Sequence, residues 1–178
     1  MSQTTVKKFK ELEVKNVQAS STHKDDIAKH AIDGKSDTKF SAKGRDEFLV
    51  LDLGEPQKVS RLSVKWFESD LRKMTYELSC SVDGKTFRRI GACVSSGVAD
   101  NEYEDHDFER PIEARYFRIT GQENTLNSFM SIVDVKVFTD KTDDGPTAPL
   151  TASEISENPN PDTVTDETEE VKLKKGKK

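Results

Sequence analysis

The chain has 178 residues, 33% of them hydrophobic and 34% charged, with a formal net charge of −5. That is poorer in apolar and richer in charged side chains than an ordinary globular domain, yet nine Phe, three Tyr and one Trp are too many aromatics for a wholly disordered polymer. No apolar run approaches the ~20 residues of a membrane span, and the near-neutral balance does not indicate specific nucleic-acid recognition.

The chain opens on MSQTTVKKFK, a polar arm over residues 1–10 without the apolar stretch of a secretory signal. The expectation is synthesis without a signal peptide, with the protein cytoplasmic or released by lysis. A first strand is expected near 11–18. Asp25 to Ile32 is the one briefly helical stretch, with Ile27, Ala28 and Ala31 clustered. Asp33-Gly34 then reads as a turn that Asp37 caps through its own backbone.

Short alternating runs follow, at 47–53 and then at 59–66, where Leu62, Val64 and Trp66 fall on one face and Arg61, Ser63 and Lys65 on the other. Tyr76, Leu78, Cys80 and Val82 repeat that period of two. Asp83-Gly84 turns the chain into Phe87-Arg88-Arg89-Ile90, a hairpin signal. Further strands are expected at 103–109, 115–120 and 132–138. Eight strands without crossover helices predict an all-β, antiparallel jelly-roll sandwich over residues 11–138.

From Thr139 to Lys178 there is no aromatic, Cys, Met or His, and ten acidic residues face six lysines. Such a segment buries too little apolar surface to offset its ordering entropy, so residues 139–178 are expected to be a disordered acidic tail. Its lysine-rich end, from Lys172 onward, reads as solubilising, with phosphate-rich partners as the alternative. Cys80 and Cys93 are too few for a disulfide framework and are expected to be free thiols, although spacing alone leaves a bridge open. His23, His30 and His106 are isolated beside charged residues and read as surface groups. No phosphate loop, nucleophile elbow or His-Glu-x-x-His pair is present, so binding is the better starting point than catalysis.

Four blocks occur in a meaningful order: AIDGKSDTKFSAKGRDEFLVLDLGEPQKVSRLSV, YELSCSVDGKTFRRI, ARYFRIT and NSFMSIVDVKVF. Together they resemble the discoidin, or coagulation-factor type C, family of galactose-binding-like domains, from about Val14 to Phe138. The version with Trp66, Asp70, Arg72 and the Gly121…Asn124-Thr125…Asn127 segment is most similar to carbohydrate-binding modules appended to bacterial polysaccharide-degrading enzymes. The resemblance implies an eight-stranded jelly roll, a non-catalytic role, and loops at one end that grip sugars. It also implies a structural calcium ion (Ca2+), with Asp33, Asp37, Thr38 and Asp134 at the matching positions, in keeping with calcium's preference for six to eight oxygens. Phe40, Phe87 and Phe129 stand where the family usually places tryptophans, and Met130 stands for an Asn before the final Ser-Ile.

The candidate sugar-binding residues are Trp66, Phe67, Asp70, Arg72, Asn124 and Asn127, which combine an aromatic platform with groups that bond hydroxyls. Trp66 has two readings, core residue or platform; in the first, Phe67 points outward and takes its place. Arg72 suits a uronate carboxylate, and alternatively pairs with Asp70 on the surface. The leading reading is a carbohydrate-binding module for a polysaccharide or glycan. The alternative is a structural protein of a virion or cell surface, attached to other surface proteins through the same jelly roll.

Overall fold

The computed structural model describes residues 7–97 and 102–141. Eight antiparallel strands carry the fold: β1 (Phe9–Leu12), β2 (Asn16–Ala19), β3 (Phe40–Lys43), β4 (Glu47–Trp66), β5 (Met74–Ser81), β6 (Arg88–Val94), β7 (Glu104–Asn124) and β8 (Phe129–Asp140). The β-sandwich expectation holds, but the strands are partitioned differently.

The runs at 47–53 and 59–66 are one strand, β4, and those at 103–109 and 115–120 are one strand, β7. The break in alternation at Gly54-Glu55-Pro56 is a bulge, where the β4–β7 register shifts between Asp52 and Gln57. Gly54 sits there at φ +85, its N–H donating to Asp52 Oδ1 at 2.8 Å. Proline, which has no N–H to contribute to a ladder, is tolerated at such a point. The expected strand near 11–18 is two short ones. β3, with the unremarkable sequence FSAK, exists because β8 offers it an edge, Phe40 opposite Ile132 and Lys43 opposite Phe129.

The long strands build two layers. The first half of β4 lies between β2 and the second half of β7, whose other edge takes β5 and then β6. The second half of β4 pairs with β8 and with the first half of β7. The far edge of β8 takes β3 near its start and β1 near its end, where Phe9 faces Asp140. Between the layers lie Leu49, Leu51, Val59, Leu62, Val64, Tyr76, Phe117, Ile119, Ile132 and Val137, each at most 1% exposed. Each large aliphatic side chain buried in this way contributes about 1.5–3 kcal/mol of transfer free energy.

Several expectations need correcting at the edges. The brief helix is a 3₁₀ turn over Ala28–Ile32 that buries Ala31, while Ile27 stays exposed. β1 takes Phe9 and Lys10 from the expected arm, and β8 takes Thr139 and Asp140 from the expected tail. Residues 1–6 of the arm and 142–178 of the tail, including its lysine end, lie outside the described residues. The hairpin after β5 forms, with seven residues between Cys80 and its partner Arg88 and not a tight two-residue turn. Both cysteines are free thiols, Cys80 buried and Cys93 half-buried. The histidines are not simple surface groups. His106 Nε2 lies 2.6 Å from the Tyr76 hydroxyl, His30 Nδ1 is 3.1 Å from the Lys39 carbonyl, and the His23 ring meets Phe129 edge-on at 4.8 Å.

Candidate functional site

At one end of the sandwich the β4–β5 loop, residues 67–73, meets the β7–β8 loop, residues 125–128. The first loop turns sharply at Glu68, φ +52, whose carbonyl accepts from the N–H groups of Leu71 (3.0 Å) and Arg72 (3.2 Å). The loops are tied by a reciprocal pair: Thr125 N–H donates to the Lys73 carbonyl at 3.0 Å, and Lys73 N–H to Thr125 Oγ1 at 2.9 Å. Phe67 N–H donates to the Ser131 carbonyl at 3.1 Å, which fixes the loop against β8.

Asn124 organises the second loop. Its Nδ2 donates to Asn127 Oδ1 (2.7 Å) and to the Phe129 carbonyl (2.5 Å), while its Oδ1 accepts from the N–H groups of Leu126 (2.8 Å) and Asn127 (2.6 Å). Asn127 Oδ1 also accepts from Phe129 N–H at 3.0 Å and from Arg72 Nη1 at 3.2 Å. Among the described residues nothing accepts from Asn127 Nδ2, and that residue is exposed.

Arg72 spans the two loops. Its side chain is 7% exposed; Nε donates to the Phe67 carbonyl at 3.0 Å, and the guanidinium lies 5.1 Å from the Phe67 ring centroid. Glu68, 3.8 Å from Nη2, is its acidic partner, and Nη2 has no hydrogen-bond partner. Burial works against its charge and lowers its pKa, with Glu68 pulling the other way.

Of the expected sugar-binding residues, the structure brings Phe67, Arg72, Asn124 and Asn127 together. Trp66 is corrected to a core residue: it is 3% exposed, and its ring packs on Tyr76 at 4.7 Å. A side chain so covered offers no face to a sugar, and Phe67, half-buried beside it, is the available ring. Asp70 is exposed, and the Asp70–Arg72 pair does not form because Arg72 turns inward to Glu68.

The narrow cleft behind the loops, about 10 Å³ and so room for about one water, is lined by Trp66, Phe67, Arg72, Met74, Asn124, Phe129 and Ser131. Beside it a groove of about 280 Å³ runs past Gly44, Arg45 and Gln122 to Asn127 and Ser128, sharing Met74, Asn124 and Phe129. Sequence reasoning missed Phe129 as a wall, and with it Lys39 and Lys43. The alternation of KFSAK around Phe40 was the available signal.

The positions matching a calcium site are only partly assembled. Thr38 Oγ1 donates to the Asp33 carboxylate at 2.8 Å, and Lys35 N–H donates to Asp33 Oδ1 at 2.9 Å. Asp37 is exposed. The buried Asp134 carboxylate instead accepts from the Tyr103 hydroxyl at 2.5 Å, and burial raises its pKa. No group of three or more His, Cys, Asp and Glu side chains converges among the described residues. The side chains in place therefore fit the ion poorly.

A two-layer antiparallel sandwich whose end loops enclose an aromatic-walled cleft defines a β-sandwich binding module. The F5/8 type C domain family matches residues 16–135, and the chain belongs to that family, the discoidin domains. The CBM32 module of AlyQ, solved in complex with 4,5-unsaturated mannuronic acid, is 29% identical. Its TM-score is 0.69, over 72% of this chain and 98% of that one. A truncated AlyQ with CBM32 and alginate lyase domains is 30% identical with a TM-score of 0.72, over 83% of this chain and 36% of that one. The family 32 module of C. perfringens NanJ, solved with galactose, shares the fold at 22% identity and a TM-score of 0.60, over 70% of this chain and 93% of that one. No curated protein matches the chain.

Proposed function

We propose that the chain is a non-catalytic carbohydrate-binding module and that its ligand site is the groove between Gly44-Arg45 and the β7–β8 loop, with the adjoining surface of Phe67. One observation carries the reading: the groove of about 280 Å³ has the half-buried Phe129 ring as a wall and exposed Asn127 offering an amide along it, and half-buried Phe67 adjoins it across the narrow cleft. Sugars are held by apolar ring contact plus a few fixed polar groups; here Phe129 gives the contact and Asn127, Arg45 and Gln122 line the groove as the polar groups, while Arg72 and Asn124 hold the loops in place. The kinship with modules solved on sugars supports it. The alternative of a virion or cell-surface attachment protein draws no support from these relatives. Glycan-array screening followed by calorimetry tests the proposal. Binding should fall at least tenfold in both Phe67→Ala and Phe129→Ala, and binding that survives both substitutions refutes the placement.

A further inference from the structure

The approach to the cleft is lined by β3. Strand alternation puts Lys39, Ser41 and Lys43 on one side of that segment, while Phe40 and Ala42 face the core and are fully buried. Ser41 Oγ lies 2.9 Å from Ser131 Oγ, and the lysines flank this pair. Each ammonium rests over its own ring: Lys39 Nζ is 4.9 Å from the Phe67 centroid and Lys43 Nζ 5.8 Å from that of Phe129. Attraction to the ring quadrupole holds such groups in place.

Compensation of these charges is incomplete. Lys39 pairs with Asp26 at 2.9 Å, but Lys43 forms no ion pair among the described residues. Behind them the Arg72 guanidinium is held by Glu68 only at 3.8 Å, beyond hydrogen-bond reach. Lys43 is thus the one ammonium at the mouth of the cleft without an acidic partner among the described residues, while Asp26 and Glu68 offset Lys39 and Arg72 and Asp70 is exposed on the β4–β5 loop. The two ammoniums rest over different rings, Phe67 for Lys39 and Phe129 for Lys43, and so stand at separate points of the mouth.

Building on the carbohydrate-binding reading, we infer that this site reads a run of hexuronate residues, Lys39 and Lys43 each taking the carboxylate of a different sugar. Arg72 acts through the loops as a positioning residue, its Nε and Nη1 engaged by the Phe67 carbonyl and Asn127 and its Nη2 buried without a partner. A single uronic acid engages only one lysine, so affinity should depend on chain length as well as on charge.

The test is calorimetry on the full chain with oligomannuronates of one to four residues and their carboxyl-reduced neutral counterparts. The trimer should bind at least tenfold tighter than its neutral counterpart and at least tenfold tighter than the monomer. Raising salt from about 50 to about 500 mM should weaken only the acidic ligand. Lys43→Gln, at an exposed position, should cost the acidic trimer about three- to tenfold and narrow its advantage over the neutral counterpart. Equal binding of acidic and neutral trimers, insensitive to salt and to Lys43→Gln, overturns this inference while the sugar-binding reading stands. An acidic trimer that gains nothing over the monomer also overturns it. Absence of binding to every sugar tested, neutral or acidic, overturns both.

Discussion

Asn124 offers the sharpest test of the site's construction, because its amide is consumed within the protein. Four hydrogen bonds, two donated and two accepted, join it to residues 126, 127 and 129. A typical intramolecular bond contributes about 0.5–1.5 kcal/mol net, and exposed partners such as Leu126 N–H recover part of their loss through water. Asn124→Ala should thus cost about 2–3 kcal/mol. At roughly 4 °C per kcal/mol for a domain of this size, the melting temperature should fall by about 8–12 °C. Asn124→Asp is more informative. It keeps both acceptor bonds but sets a carboxylate oxygen against the Phe129 carbonyl and Asn127 Oδ1, contacts of 2.5 and 2.7 Å that now lack a proton. At neutral pH it should be less stable than the alanine variant. Two acceptor oxygens favour the protonated carboxyl, while the two retained N–H bonds favour the charged one. The acceptor contacts must prevail for the folded-state pKa to lie above the unfolded value of about 3.9. The deficit should shrink as pH falls through that raised value. Differential scanning calorimetry from pH 7 to pH 4 measures both effects. An Asn124→Ala variant that melts within about 1 °C of the parent refutes the reasoning, and so does an Asn124→Asp deficit that does not change with pH.

Two further outcomes follow from groups outside the cleft. The Arg115 guanidinium, bonded to Asp52 at 2.7 and 3.0 Å, lowers the carboxyl pKa of Asp52. A depressed pKa gives stability that is present above the unfolded value and lost as pH falls through the folded one. Asp52→Asn should therefore melt a few degrees lower at pH 7 and converge with the parent as pH falls below the unfolded carboxylate value of about 3.9 and on through the lowered folded one; a difference that stays constant on acidification contradicts the assignment. The calcium expectation is testable at the Asp33–Thr38 loop, where the ion would have to displace the Thr38 bond. If it binds there, it raises the melting temperature of chelator-treated protein and Asp33→Ala abolishes the rise, whereas no shift on adding calcium removes the ion from the account.

The architecture was legible wherever one strand face is buried. Leu62, Val64 and Trp66 on β4, and Tyr76, Leu78 and Cys80 on β5, alternate in sequence and are all buried. Continuity was not legible. Gly54 and Pro56 carry a turn signature, and only pairing with β7 on both sides of them makes β4 one strand. At the site, the sequence singled out residues of the right chemistry but not the direction in which they point. Arg72 and Asp70 are two residues apart, yet one is buried and the other exposed, because Arg72 folds back onto the Phe67 carbonyl. The KFSAK alternation puts Lys39 and Lys43 on one side, but nothing local marks a lysine as lying over an aromatic ring that β8 and the β4–β5 loop bring to it.

β8 starts at Phe129, beside the cleft, and ends at Asp140, paired with Phe9 where the described chain enters β1. Twelve residues of strand separate these points by up to about 40 Å. Entry and exit of the sandwich are thus side by side at the pole remote from the ligand loops. A module suspended by either flank presents its cleft outward, and two modules joined in series would point their clefts away from the joint. Fusing a rigid partner at Phe9 or Asp140 should leave ligand access unchanged, whereas the same partner inserted at Leu71 or Leu126 would close the cleft.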